Sequence, residues 1–337
     1  MDRSVTPPYA DLTPDCVLDA LQSAGLEGDG RLLALNSYEN RVYRAGISDA
    51  PAVVVKFYRP GRWSDAQIAE EHAFALELDA REIPVVAPRA LRSVHTSDGR
   101  TTTLLTHASF RFAVYDNRGG RAPELEDRST LAWIGRFIGR IHAVGSTQAF
   151  IHRPAFDIAS FGEEPRDYLL RNDFLPPDLV DAYRTGINLA LDGVRRCYDR
   201  AGETPAIRLH GDCHAGNILW TDYGPHFVDF DDSRSGPAIQ DLWMLLAGDR
   251  ADMSLQLSDV LRGYEQFWQF DRRQLHLVEA LRTLRLIHYA AWIARRWDDP
   301  AFPAAFPWFN TQRYWQDRIL ELREQIALMD EAPLPID

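Results

Sequence analysis

The sequence predicts an α+β protein in two lobes, a small β-rich N-terminal lobe over residues 1–115 and a large helical C-terminal lobe over 116–337. Three observations carry this. β-branched and aromatic runs crowd the first 115 residues around one main helical stretch. From Asp127 onward, long amphipathic segments of helical period take over. The polar, glycine-bearing "DNRGGRAP" beginning at Asp116 separates the two.

In order along the chain, "TPDCVLDALQSAG" reads as a helix with Thr13 as N-cap, Pro14 in the first turn and Gly25 as the stop. "RLLALNSYENRVYRAG" reads as two strands joined by a polar turn at Ser37 to Asn40, and "AVVVKFYR" as a buried strand carrying Lys56. Ser64 and Gln67 form a capping box for a helix running to about Ala80. Extended runs near Ala90 to Val94 and Thr102 to Tyr115 are expected to complete a five-stranded sheet. In the C-terminal part, "DRSTLAWIGRFIGRIHAVG" and "PDLVDAYRTGINLALDGVRRCYDR" read as helices, with more helices after Pro237. Only "AIRLHGD", "NILWTD" and "HFVDF" look extended there, the last two as a hairpin inserted in this lobe.

With 337 residues, 45% of them hydrophobic and 26% charged, the chain can bury a sizeable core. A net charge of −12 argues against nucleic-acid or anionic-membrane binding, which needs a basic face. Three cysteines, Cys16, Cys197 and Cys213, form no C-x-x-C pair and suggest neither a disulfide framework nor a zinc ribbon. No apolar run has the length of a signal peptide or membrane span. The expectation is a cytoplasmic monomer without a membrane segment.

The chemistry concentrates in "LHGDCHAGNILW" and "FVDFDD". A loop leaving one strand can present Asp212 to an acceptor hydroxyl while Asn217 turns toward a magnesium ion. A tight hairpin then brings Asp229 to the same ion. Nucleotide phosphates would supply the remaining oxygen ligands. Lys56 is the cation for those phosphates, and a carboxylate on the following helix must hold it. Glu71 lies on the apolar stripe of that helix, three residues after Ile68, whereas Glu70 is turned about 100° away, although Phe74 follows Glu70 by four residues.

Lys56, Glu71, the His210-Gly211-Asp212 triplet with Asn217, and Asp229 resemble the eukaryotic-type protein kinase and aminoglycoside phosphotransferase superfamily. "LNSYENRVYR", "VVVKFYRP", "RLHGDCHAGNILW" and "GPAIQDLWMLL" resemble more closely its bacterial Ser/Thr kinases with the aminoglycoside phosphotransferase-like fold. The resemblance spans nearly the whole chain. It implies a bilobal protein-kinase-like fold, ATP and Mg2+ as cofactors, and a protein substrate with a Ser or Thr acceptor, in a bacterial stress response. Asp212 and Asp229 become the catalytic pair, with Asn217 and Asp229 as metal ligands. Ser37, Lys56, Glu71, Phe112 and Val114 fall to the nucleotide, the adenine edge meeting backbone groups around Phe112 to Tyr115. Asp241 would brace the catalytic loop.

The chain departs from the general kinase pattern in two places. "NSYEN" stands where a glycine-rich loop would cover the phosphates, so a turn with short polar side chains must serve. Gly211 stands where regulated kinases carry an arginine, and only six residues separate Asp229 from Gly236, which leaves no room for an activation loop.

Other readings of the same residues stand beside these. His210, Asp212 and His214 also admit a zinc hydrolase, although no second histidine cluster supplies the remaining ligands. Cys213 is either a nucleophile or a spectator thiol. Asp231 and Asp232 compete with Asp229 for the metal. Tyr289, Trp292, Arg296 and Trp297 are either core or the lining of an acceptor cleft. Two other functions remain open: a small-molecule phosphotransferase with the same chemistry, acting on an aminoglycoside, amino alcohol or sugar, and, from another class, a nucleotide-binding pseudokinase scaffold.

Overall fold

The computed structural model describes residues 7–92 and 101–336. The chain packs into two compact units. The first gathers the described residues of Met1–Pro123 with Ile151–Arg153 and Gly216–Asp231, and the second comprises Glu124–Phe150, Pro154–Ala215 and Asp232–Asp337. The hairpin and a three-residue segment thus pack with the N-terminal part, although both lie beyond residue 115.

In the first unit, helix α1 (Pro14–Ser23) starts where Thr13 accepts the N–H of Cys16, and Gly25 leaves it at a φ of +77°. Strands β1 (Gly28–Ala34), β2 (Arg41–Ile47) and β3 (Ala50–Phe57) follow as antiparallel neighbours. The capping box at Ser64 and Gln67 is present and starts α2 (Asp65–Ala80), which ends where the sequence placed it.

The five-stranded sheet exists, but its membership differs from the expectation. Its order is β1-β2-β3-β7-β6, where β6 is Leu105–His107 and β7 is Phe110–Asp116. The run read as one strand from Thr102 to Tyr115 folds back on itself at Ala108 and Ser109, both with positive φ. That hairpin supplies two of the five strands. The run near Ala90 to Val94 instead gives β4 (Leu91–Arg92), paired outside this sheet with β5 (Thr101–Thr102). Its last residues, 93 and 94, lie outside the described residues. A two-residue turn without glycine gives little warning in sequence, because Ala and Ser rarely adopt positive φ.

Val53, Val55 and Phe57 on β3 face Val17, Leu21, Phe112 and Val114 in the unit's core. The opposite face of β3 carries Lys56, toward the Ile68 and Glu71 face of α2. Two more strands, β9 (Ile218–Thr221) and β10 (Gly224–Phe227), form the hairpin. They are pinned to this unit by Val86 N–H on the Phe227 carbonyl at 3.0 Å and Phe227 N–H on the Pro84 carbonyl at 2.8 Å.

The second unit is helical: α3 (Arg128–Gly145), α4 (Glu164–Arg171), α5 (Val180–Ala201), α6 (Gln240–Trp243), α7 (Arg250–Tyr264), α8 (Val278–Ala294), α9 (Ala301–Ala305) and α10 (Gln312–Met329). It also holds a small ladder of β8 (Ile207–Leu209) with β11 (Arg234–Gly236). Helices α3 and α7 approach closely because Gly135 and Gly263 present bare backbone: a Cβ at either would fall within about 2.0 Å of a carbonyl oxygen of the other helix. No helix among the described residues is long and apolar enough to cross a membrane.

Candidate active site

Lys56 is buried, and three carboxylates of the first unit surround its ammonium. Asp229 Oδ1 lies at 2.9 Å, Asp231 Oδ1 at 3.1 Å and Glu71 Oε1 at 4.0 Å. Asp231 also accepts from Asn40 Nδ2 at 3.2 Å and pairs with Arg62, while Arg153 lies 3.8 Å from Glu71. Three cations thus meet three anions, the condition under which buried charge is tolerated. Burial works against the charge on Lys56, yet Asp229, Asp231 and Glu71 together hold its pKa well above the ordinary lysine value. Glu71 moves the other way. Burial first, and then the charge of Asp231 against the opposing pull of Lys56, pushes its carboxyl up to about 7.

Glu71 is therefore the acid of α2 that serves Lys56. Glu70 accepts the backbone N–H groups of Ile151, His152 and Arg153 at 2.5, 2.8 and 2.7 Å. It holds in place the segment that carries Arg153. Of the competing acids in "FVDFDD", Asp231 turned out to be a direct partner of Lys56, and Asp232 lies in the other unit, 3.7 Å from Arg234.

Asn217 and Asp229 flank the open end of the β9–β10 hairpin. The N–H of Val228 donates to the Asn217 carbonyl at 3.0 Å, which aligns the two strand ends. Asp229 follows with a φ of +62° and a side chain 53% exposed. One amide and one half-exposed carboxylate are oxygen donors suited to a hard divalent cation. No group of three His, Cys, Asp or Glu that could hold a metal occurs among the described residues. Asn217 and Asp229 fit a hard divalent cation with coordination positions to spare, and His210, Asp212 and His214 belong to no such group among the described residues.

Ser37 is half-buried in its turn and donates from its hydroxyl to the Asn40 carbonyl at 3.1 Å, while Asn40 Oδ1 accepts the N–H of Arg59 at 3.1 Å. Phe112 and Val114 are core residues of β7. Phe112 pairs with Phe57 on one side and Leu105 on the other, and the Val114 carbonyl accepts the N–H of Arg89 at 2.7 Å. Their backbone is already engaged in the sheet.

In the second unit, β8 delivers the "HGD" loop. The Asp241 carboxylate, at the start of α6, accepts the N–H of His210 and of Gly211, each at 2.8 Å. His142 Nε2 lies 3.1 Å from the same carboxylate, and its Nδ1 meets the Tyr264 hydroxyl at 2.8 Å. Gly211 has a φ of +89°, and a Cβ there would fall 2.1 Å from the Asp232 carbonyl oxygen. No arginine fits at this position, which is the physical reason the kinase-type arginine is missing. His210 is buried and takes the Asp212 N–H on Nδ1 at 3.4 Å. Cys213 is buried too, and burial raises its thiol pKa well above the ordinary value, so it is a spectator.

Asp212 meets two groups that its sequence neighbourhood only half suggests. Arg285 Nη1 of α8 donates to Oδ1 at 2.6 Å, and His214 Nε2 stands 3.4 Å from Oδ2. Burial alone would raise the Asp212 pKa, but the His214 hydrogen bond and the Arg285 charge win and hold it well below the usual carboxylate range. Sequence reasoning missed Arg285, Asn40, Arg62 and Arg153. Arg285 did leave a signal as a lone cation in the apolar run "TLRLIHYAAWIA".

Of the aromatic residues weighed for an acceptor cleft, Trp292 packs against Phe302 and Phe306, and Trp297 against Phe309. Arg296 bonds the Trp292 carbonyl at 2.9 Å. Tyr289 differs: with Trp308, Tyr314 and Glu321 it lines a cavity of about 390 Å³.

The first unit thus holds a lysine among helix and hairpin carboxylates, and the second an aspartate on a braced loop. Residues 31–278 match the phosphotransferase enzyme family (APH), and the chain belongs to that family. It is 44% identical to stress response kinase A of Escherichia coli (strain K12), over 97% of each chain. It is 43% identical, with the same coverage, to the serine/threonine protein kinase RdoA of Salmonella typhimurium. Among solved structures it resembles an amicoumacin kinase in complex with AMP-PNP, Ca2+ and Ami, at a TM-score of 0.71 and 18% identity over 96% of this chain and 95% of that one. A microcompartment-associated aminopropanol kinase gives a TM-score of 0.69 at 17% identity, covering 94% of this chain and 97% of that one. The fold is the α+β fold of aminoglycoside phosphotransferases.

Proposed function

We propose that this chain transfers the γ-phosphoryl group of MgATP to serine or threonine hydroxyls of a protein. The observation that carries the reading is the Lys56 cluster, a buried cation faced by helix and hairpin carboxylates, in a chain whose relatives are named as kinases. Lys56 would pair with the nucleotide phosphates, and the turn at Ser37 would lie beside them. Since Phe112 and Val114 are engaged in the sheet, the adenine edge would meet backbone at the exit of β7, after Asp116. Asn217 and Asp229 would hold the metal, which when bound neutralises charge on the phosphate oxygens.

Asp212 orients the acceptor hydroxyl. As the hydroxyl oxygen bonds to the γ-phosphorus, the bond to the β–γ bridging oxygen breaks, ADP leaves and the hydroxyl proton passes to Asp212. The catalysis is positioning and charge stabilisation. A role in a bacterial stress response rests on the relatives' names alone, and a cytoplasmic monomer on the sequence.

A second reading keeps the chemistry and makes the acceptor a small cation. The cavity beside Tyr289 favours it through its excess of acids: Asp317, Glu321 and Glu324 line it with Tyr289, Trp308 and Tyr314 against one cation, Arg318, which lies over the Tyr314 ring at 5.3 Å and pairs with Glu321. Transfer of labelled γ-phosphate to proteins, aminoglycosides and amino alcohols, beside an Asp212→Asn control, separates the two. Full activity of Asp212→Asn would sink both.

A further inference from the structure

The placement of Arg285 goes beyond holding a loop together. Its guanidinium occupies Asp212 Oδ1 at 2.6 Å while His214 stands by Oδ2, so both oxygens of the proposed base are faced by nitrogen groups. A base must turn an unengaged oxygen to the acceptor hydroxyl. Arg285 is also 42% exposed along its side chain, and its other contact among the described residues is the weak acceptor Met244 Sδ at 3.8 Å. The neighbouring cation of α8, Arg282, has its own carboxylate, Glu279, at 3.5 Å. Asp241, from α6, grips the backbone N–H groups of the loop rather than the Asp212 carboxylate. A guanidinium fork with donors to spare, half in solvent and beside the reacting carboxylate, matches a second anion.

We propose that Arg285 reads the acceptor: it favours substrates with a carboxylate or phosphate beside the reacting hydroxyl, and that anion draws the guanidinium off Asp212. This rests on Asp212 being the base. Arg285 acts as a positioning and specificity residue and takes no part in bond making. When the acceptor's anion engages Arg285, Asp212 Oδ1 is released to receive the hydroxyl proton. An acceptor without such a group leaves the aspartate clamped.

The test uses the full chain with labelled MgATP and acceptors offered in pairs that differ in one anionic group. Serine peptides with Asp or Asn beside the serine, and glycerate against glycerol, cover the protein and small-molecule classes; hydrolysis to water is followed in parallel. The wild type should favour the anionic member by about tenfold or more in kcat/KM, the scale of one charge-assisted hydrogen bond. Arg285→Gln should shrink that preference to about twofold, hydrolyse MgATP faster, and move the acid limb of the kcat profile to higher pH. Arg285→Lys should keep part of the preference. An undiminished preference in Arg285→Gln, or transfer and hydrolysis falling together with the preference unchanged, would overturn the proposal. If no acceptor of either class is labelled, hydrolysis decides: faster in Arg285→Gln supports it, slower refutes it. Failure of the underlying reading looks different, as Asp212→Asn would then still transfer and hydrolyse.

Discussion

Glu70 and Glu71, consecutive on α2, serve different elements: Glu71 is buried 4.0 Å from Lys56, and Glu70 accepts three backbone N–H groups of residues 151–153. One helical step turns a side chain by about 100°, enough to send one acid to the sheet and its neighbour to a loop. Glu70→Ala should show mainly in unfolding, losing about 1–2 kcal/mol once solvent screening is allowed for. Glu71→Gln should stay within about 1 kcal/mol of wild type, because burial already disfavours its charge. Its loss should appear in phosphoryl transfer, with KM for ATP raised about tenfold. Urea unfolding and initial-rate kinetics on both variants check the division.

Asp229 combines a φ of +62° with one of three carboxylates around a single ammonium. Replacing it by glycine removes both the backbone strain and part of the anion crowding. Asp229→Gly should keep or raise Tm, by up to a few degrees, while transfer falls at least about 100-fold. Calorimetry beside a rate assay would expose the trade. A Tm drop of several degrees would contradict it.

The brace on the His210–Asp212 loop should be costly to break. Asp241→Ala orphans the buried N–H groups of His210 and Gly211 and the His142 ring, and should destabilise by about 3 kcal/mol or more. Gly211→Ala should be comparably severe for a steric reason, since its Cβ would collide with the Asp232 carbonyl. Both are read from denaturant midpoints at constant m-value.

Buried histidines set the acid side of the stability profile. His72, between the Tyr58 hydroxyl at 2.6 Å and Thr103 at 2.8 Å, is pulled down to about 3 by burial and then by the Lys56 charge. The unfolded chain therefore binds a proton near pH 6.5 that the folded chain refuses until about pH 3. Stability is complete above pH 6.5 and falls as pH drops, at up to about 1.4 kcal/mol per pH unit for this group. Glu71 runs oppositely, since its raised carboxyl makes the folded state bind a proton between its ordinary value and about pH 7. Urea titrations between pH 5 and 8 should show the acid slope lessened in His72→Gln and the opposing one removed in Glu71→Gln.

Much of the candidate site was legible before any fold was known. The capping box, the Lys56 strand and the order of His210, Asp212, Asn217 and Asp229 follow from local spacing, because each depends on backbone periodicity within a few residues. Helix geometry favoured Glu71 over Glu70 but left the pair open, and packing decided it, with Glu71 beside Lys56 and Glu70 on the backbone of residues 151–153. Sequence pattern misjudged the strand after residue 101, where positive φ at Ala108 and Ser109 makes a turn out of residues with no turn signature.

What only tertiary structure decided are the partners brought from far along the chain. Asp231 reaches Lys56 across 175 residues of sequence, and Arg285 reaches Asp212 across 73. No local pattern encodes such pairs. They form because burying a charge is costly unless the fold supplies an opposite one within about 4 Å, and which charge arrives depends on how helices and strands pack. Residue type and spacing determined the chemistry this chain can attempt; packing decided which groups hold Lys56 and Asp212.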